Sequence, residues 1–233
     1  MNREWFLIDD EGIHPLNMTK EPENFWDRFD GGVDDAPWPP FNQVAVDASP
    51  AKTVEALHNT APGLGVDLED VSTLPERWAG GIVVAEAGAL TVVGEPGVDL
   101  EERVMALRWT EALLGELGCD GAFFGYDPEA GTLHLTVFSD GRAEFAWCDS
   151  LRPGPSYAMV FDDEGKCREE DPRRFALRML EMPETSPLLD RYRFVWSNLE
   201  RLGLDVVSPE MEEFPIAAVI GSQVVRQMGQ GDS

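Results

Sequence analysis

Residues Gly121 to Phe161 read GAFFGYDPEAGTLHLTVFSDGRAEFAWCDSLRPGPSYAMVF, and this stretch is the most informative part of the chain about its fold. Its short apolar runs are separated by residues that favour turns, which is the pattern of consecutive antiparallel strands. Asp140-Gly141 predicts a tight hairpin, because glycine tolerates the positive φ that two-residue hairpin turns require. The stretch therefore predicts an antiparallel meander of roughly three or four strands.

The strongest predicted helix precedes this meander. Asp99 and Glu102 have the spacing of a capping box, and Gly118 supplies a left-handed stop. Further helices are predicted to begin at Ser49-Pro50, Asp171-Pro172 and Ser186-Pro187. The stretch 68–78 is ambiguous, and a short helix broken by Pro75 is one interpretation. The side chains expected in the core of these helices are Leu107, Leu114, Val195, Trp196 and Leu199.

Strands and helices do not alternate one for one, which argues against a parallel, doubly wound sheet. We expect a single α+β domain over residues 1–233, with helices packed on one face of a mostly antiparallel sheet. Residues 1–47 are interpreted as a loop-rich acidic N-terminal segment, and 229–233 as a frayed tail.

Charge dominates the composition. The 233 residues include 44 acids and 18 bases, for a net charge of −26. Residues 1–150 carry 29 of the acids and 8 of the bases. Such a field opposes direct binding to nucleic acid or to an anionic membrane, and it favours a basic protein partner. A generally acidic surface, as in halophilic organisms, is the alternative interpretation.

The sequence contains no nucleotide-binding glycine loop, no nucleophile elbow and no zinc-binding motif. We therefore expect no catalytic residues, no cofactor and no metal. The chain has no apolar run of about 18 residues and no N-terminal signal pattern, so we expect a cytoplasmic protein. Its three cysteines are too widely spaced for a disulfide framework or a zinc site.

Aromatic and acidic side chains alternate near the N-terminus and form the candidate binding surface. Buried aromatics supply much of the binding energy of protein interfaces, and charge steers the encounter. An alternative is that these aromatics pin the segment onto the core. The predicted partner-binding residues are Trp26, Asp27, Asp30, Asp34, Asp35, Trp38 and Phe41.

Three stretches resemble parts of small acidic bacterial proteins of the toxin-immunity type. They are a hairpin strand at Ala89–Gly94, the capped helix at Asp99–Gly118 and a strand pair at Phe138–Trp147. Immunity proteins of this type are commonly acidic, because many of the toxins that they block are basic nucleases. The resemblance implies a stoichiometric inhibitor and transfers no individual residue.

The working hypothesis is therefore a non-enzymatic acidic protein that covers a basic partner, such as a toxin or nuclease. Residues 9–47 and one face of the sheet would supply the contact. Three alternatives remain open: a DNA mimic, an enzyme without a recognisable motif, and a structural subunit with an acidic surface. The oligomeric state does not follow from the sequence.

Overall fold

The computed structural model describes residues 5–9, 12–16, 41–64, 66–71, 81–94, 100–127, 131–150, 156–186, 189, 191–204 and 214–224. The strands are β1 Trp5–Asp9, β2 Gly12–Leu16, β3 Phe41–Val46, β4 Val66–Val71, β5 Gly81–Ala87, β6 Leu90–Gly94, β7 Gly121–Asp127, β8 Thr132–Ser139, β9 Arg142–Ser150, β10 Tyr157–Phe161, β11 Cys167–Glu170 and β12 Ile216–Val224. The helices are α1 Pro50–Thr60, α2 Leu100–Leu117, α3 Pro172–Met179 and α4 Arg191–Leu202, and a short 3-10 turn, Ala61–Leu64, follows α1.

Ten strands form one sheet in the order β11-β10-β9-β8-β7-β3-β6-β5-β12-β4, and β1 and β2 form a separate hairpin. Every pairing among the described strands is antiparallel. The predicted meander is confirmed, because β7, β8, β9 and β10 follow one another both in the chain and in the sheet. The acidic turn after Phe161 leads into β11, which extends the meander by one further strand.

The ambiguous stretch 68–78 is strand in its first part rather than a short helix. It overlaps β4, which pairs with β12 from Val66↔Val224 to Val71↔Val219. The partner strand lies far along the chain, so no local pattern around Leu68 reports the pairing. Tertiary pairing of this kind overrides a weak local preference.

The α+β class and the antiparallel sheet are confirmed, but the helices lie on both faces of the sheet rather than on one. The core of one face joins α1 and α2 to strand residues such as Val44, Phe123 and Phe138. The core of the other face joins α3 and α4 to residues such as Phe124 and Trp147. All seven residues of β7 are buried, which requires cover on both sides of that strand.

The predicted core side chains are largely confirmed. Leu114 and Leu199 are fully buried, whereas Val195 and Trp196 are half-buried on the edge of the α3–α4 core. The side chain of Leu107 lies outside what the structure describes. Apolar residues of the meander lie in the paired strands β8 and β9, and α2 packs on the same sheet: Leu133, Leu135, Val137, Phe145 and Trp147.

Two glycines let the C-terminal turn of α2 lie directly against the β8–β9 turn. Asp140 and Gly141 have φ of 48° and 74°, as the predicted two-residue hairpin turn requires. A Cβ on Gly141 would come within 2.5 Å of the carbonyl oxygen of Leu114. The N–H of Gly141 donates to the carbonyl of Cys119 at 2.9 Å, and Gly118, with φ of 58°, ends the helix beside it.

Gly141→Ala tests this close approach. We expect it to lower the free energy of unfolding by roughly 2–5 kcal/mol, from left-handed strain together with overpacking. Gly88→Ala is the matched control, since Gly88 has φ of 64° but nothing within 4 Å of its added Cβ. It should cost only the strain, about 1–2 kcal/mol. Urea denaturation measures both, and equal losses would contradict the proposed contact.

Leu114 anchors α2 to the sheet, and it is fully buried. We expect Leu114→Ala to cost about 2–5 kcal/mol, because the side chain leaves a cavity between the helix and β7. Leu117→Ala, in the half-buried last turn, should cost clearly less. Reversible thermal or urea unfolding gives both values, and a similar cost at the two positions would show that Leu114 is not the anchor.

Candidate functional site

Exposed carboxylates collect at one end of the large sheet. Asp47 follows β3 and Asp120 precedes β7, while Asp140 lies in the β8–β9 turn. The β10–β11 turn adds three more, Asp162, Asp163 and Glu164, and all six side chains are exposed. These loops meet because β3, β7, β8, β9, β10 and β11 are antiparallel neighbours. We call this set of six residues the acidic end.

Backbone contacts hold the first three of these residues together. The N–H of Asp47 donates to the carbonyl of Asp120 at 2.9 Å. The N–H of Asp140 donates to Oδ1 of Asp120, also at 2.9 Å. One carboxylate oxygen of Asp120 thus fixes the β8–β9 turn, and the two hydrogen bonds keep Asp47 and Asp140 close to Asp120.

A groove of about 450 Å³ opens beside the acidic end, between α2 and two turns of the meander. We call it the turn groove. Its apolar surface comes from Phe138, Ala143 and Phe161, of which Phe138 is fully buried and the other two are half-buried. The remaining residues that line it are Glu111, Gly141, Arg142, Asp162, Asp163, Glu164 and Gly165.

The charged side chains that line the turn groove are mostly negative. Glu111 stands on the α2 side and Asp162, Asp163 and Glu164 stand on the turn side, against a single guanidinium from Arg142. All five side chains are exposed, so each carboxylate keeps its charge accessible to an incoming group. An apolar floor with a negative rim is suited to a cation that carries an aliphatic stem.

The β10–β11 turn has a fixed shape. Oδ1 of Asp162 accepts hydrogen bonds from the N–H of Glu164 at 3.1 Å and of Lys166 at 2.8 Å. The N–H of Gly165 donates to the carbonyl of Asp162 at 2.8 Å. Asp162 therefore shapes the turn, and Asp163 and Glu164 project from it. In the part of the chain that the structure describes, no cluster of side chains could hold a metal ion.

Charge differs between the two helical layers. Residues 166–201, which include α3 and α4, hold eight basic and seven acidic residues, so this part is nearly neutral. Arg168 and Arg178 pair with Glu170 at 2.5 and 2.9 Å, and Arg178 also lies 5.4 Å from the centroid of the Phe175 ring. The net charge of −26 is carried by the rest of the chain, and the acidic end belongs to that part.

A cysteine and a histidine meet on the sheet, but the pair is unsuited to nucleophilic catalysis. Sγ of Cys148 lies 4.0 Å from Nε2 of His134, which faces it on the neighbouring strand. Cys148 is fully buried, and burial together with the charge of Asp149 raises the pKa of its thiol to about 12. A reactive cysteine needs a lowered pKa and access to solvent.

A smaller cavity of about 20 Å³ lies under α2, between Asn42, Trp109 and the core of the α1–α2 face. The indole Nε1–H of Trp109 is buried there, and no hydrogen-bond partner is found for it among the described residues. This volume accommodates about one water molecule, which could accept that hydrogen bond, and is too small for a metabolite.

The structure locates one of the sequence-predicted partner residues. Phe41 begins β3, and its side chain is not described. The other six lie outside the described residues and stay a prediction: Trp26, Asp27, Asp30, Asp34, Asp35 and Trp38.

Sequence reasoning missed the residues of the turn groove. Asp162, Asp163 and Glu164 form a turn that hydrogen bonds to Oδ1 of Asp162 hold in shape, and the pattern of a turn rich in acids by itself indicates only a solvated loop. A signal was present, because Phe161 directly precedes these three acids. Glu111 and Arg142 carry no local signal, since helix packing alone brings them to the same groove.

Comparison with protein-family models, with curated proteins and with solved structures finds no match to the chain. The resemblance to immunity proteins therefore stays a prediction. No helix among the described residues has both the length and the apolar character needed to cross a membrane.

The pKa of Cys148 gives a test of whether this thiol is reactive. At about pH 8 an alkylating reagent should modify the exposed Cys167 and leave Cys148 intact, because the Cys148 thiol stays protonated up to about pH 12. Since the folded pKa is raised above 9.0, its contribution to stability should be fully present below pH 9.0 and lost as the pH rises towards 12. Peptide mass mapping measures the labelling, with urea-unfolded protein as the control. Rapid labelling of Cys148 in the native protein would reopen an enzymatic interpretation.

Proposed function

We propose that the protein is a non-enzymatic binding protein whose acidic end covers a basic protein partner, in the manner of an inhibitor. The observation that supports this most directly is the gathering of six exposed carboxylates from four separate loops at one end of the sheet. An arrangement that brings like charges together is costly for folding, and a protein partner that bears positive charge offsets that cost.

The charge gradient across the molecule supports the same proposal. A generally acidic surface would spread its carboxylates over both helical layers, whereas residues 166–201 are close to neutral. A one-sided field orients an approaching basic protein and raises its association rate. A negative field at the acidic end also disfavours direct contact with phosphate groups.

The proposal includes a cellular compartment, the cytoplasm. Cys119, Cys148 and Cys167 are all free thiols, although Cys167 is exposed. Free thiols persist where the environment is reducing, as in the cytoplasm.

DNA mimicry is a second candidate, and one observation favours it. The loops of the acidic end belong to strands that are neighbours in the sheet, so their carboxylates follow the sheet edge as a row. Neighbouring strands lie about 4.8 Å apart, so successive loops of the row are separated by one to two strand widths. In this case the covered surface of the partner would be its nucleic-acid site, and duplex DNA would compete with the protein for it.

Charge-matched variants test the proposed function. One variant neutralises the acidic end by Asp140→Asn, Asp163→Asn and Glu164→Gln, and leaves the structural Asp120 and Asp162 unchanged. The control variant removes three exposed charges elsewhere, by Glu55→Gln, Glu184→Gln and Glu200→Gln. Both lose the same total charge, so a difference between them reports position.

Immobilised wild-type protein and both variants are incubated with lysate of the native host at low salt. We expect a basic protein to be retained by the wild type and the control, and lost from the acidic-end variant. With the purified partner, neutralising the acidic end should lower the association rate by about tenfold or more. The difference should vanish at about 1 M salt, where screening acts within about 3 Å. Equal retention by all three proteins, or retention of no basic protein, would overturn the proposal.

A further inference from the structure

We propose that the turn groove is a pocket for one arginine side chain presented by the basic partner. This inference rests on the proposed function and names the group that the same end of the molecule would recognise. It combines three features of the described residues: a groove of suitable size, apolar lining residues and carboxylates contributed by two separate elements, α2 and the β10–β11 turn.

The size and floor of the groove suit a long side chain. Its volume of about 450 Å³ falls within the range of about 300–1,000 Å³ that is usual for ligand pockets. The half-buried Phe161 and Ala143 offer apolar surface at the floor. Arginine buries its aliphatic stem against such a surface while its charged head stays near polar groups.

The walls provide partners for a planar cation. Glu111 lies on the α2 wall, and Asp163 and Glu164 lie on the wall formed by the β10–β11 turn. Guanidinium donates several hydrogen bonds in a fixed plane and can pair with more than one carboxylate, whereas ammonium is a compact point charge. Phe161 also lines the groove, and guanidinium stacks on an aromatic ring more readily than ammonium does.

The groove is formed before any ligand arrives. Oδ1 of Asp162 accepts two backbone hydrogen bonds and holds the β10–β11 turn in shape. On the other side, Gly141 places the β8–β9 turn in contact with the backbone of α2. Walls that are already fixed lose little conformational freedom on binding, which favours affinity for a small group.

Arg142 lines the same groove and carries the same charge as the proposed ligand. Its guanidinium is exposed and tethered beside the carboxylates. It therefore competes with an incoming arginine for them, and its removal should strengthen binding. If Arg142 had only a structural role, its removal would not strengthen the binding of arginine.

The probe is N-acetyl-arginine amide, titrated into the full chain while amide resonances are followed by NMR. Its citrulline analogue is the matched control, because citrulline keeps the shape and loses the charge. We expect saturable shifts at Gly141–Ala143 and Asp163–Gly165 with the arginine probe and none with the citrulline probe. The lysine analogue should bind more weakly than the arginine probe.

Three variants sharpen the test. Glu111→Gln should weaken arginine binding by about two- to fivefold, as expected for an exposed ion pair. Arg142→Gln should strengthen it by a similar factor of about two to five. Glu55→Gln, on an exposed position of α1 that does not line the groove, should leave it unchanged.

Several outcomes would overturn the pocket assignment: equal binding of arginine and citrulline, equal binding of lysine, or arginine-induced shifts that avoid the groove. Groove shifts that arise on raising the protein concentration without a probe would identify a second copy of the chain as the occupant, and would also overturn it. If the probe binds but no basic protein is captured, the proposed function fails alone. If a basic partner is captured but the probe does not bind, the pocket fails alone.

Discussion

The contact between the last turn of α2 and the β8–β9 turn is the constraint on which the candidate site depends. It exists because Gly141 has no Cβ, which would otherwise lie 2.5 Å from the carbonyl oxygen of Leu114. Gly121, at the start of β7, must also lack a Cβ, because that atom would lie 2.6 Å from both Ala45 O and Leu114 Cδ2. The backbone of α2 therefore lies in direct contact with the sheet, and this contact positions α2 as one wall of the turn groove.

Burial on both faces of the sheet gives the molecule two helical layers with different charge. Apolar packing decides their positions: Trp147 and Phe194, with ring centroids 4.7 Å apart, fasten the α3–α4 layer to β9. The buried Arg191 adds an ion pair with Asp149 at 2.9 Å and a hydrogen bond to the carbonyl of Gly131 at 2.7 Å. Arg168, Arg178 and Arg191 pair with carboxylates of the same chain, whereas the acidic end presents its carboxylates to solvent. The separation of these two roles supports a binding protein more than a generally acidic surface.

The turns, the helix ends and most of the helices and strands could be predicted from neighbouring residues in the sequence. Asp140, Gly141 and Gly118 each adopt the positive φ that their positions in the sequence indicated. Asp171 accepts a hydrogen bond from the N–H of Arg174 at 2.8 Å, as a helix cap with Pro172 behind it should. The candidate site was harder to predict, because Glu111, Arg142 and Glu164 come together only through packing between elements distant in the chain.

Local periodicity and composition were sufficient to predict the antiparallel meander, most of the helices and strands, the acidic character and the lack of a recognised catalytic motif, whereas β4 was ambiguous. Tertiary structure decided the rest. It placed β12 between β4 and β5, a pairing across well over half of the chain that no local signal reports. It also placed helices on both faces of the sheet and brought four loops to one end of it. No single segment of the sequence reports these arrangements, because both faces of a ten-stranded sheet are buried only when all the layers have assembled.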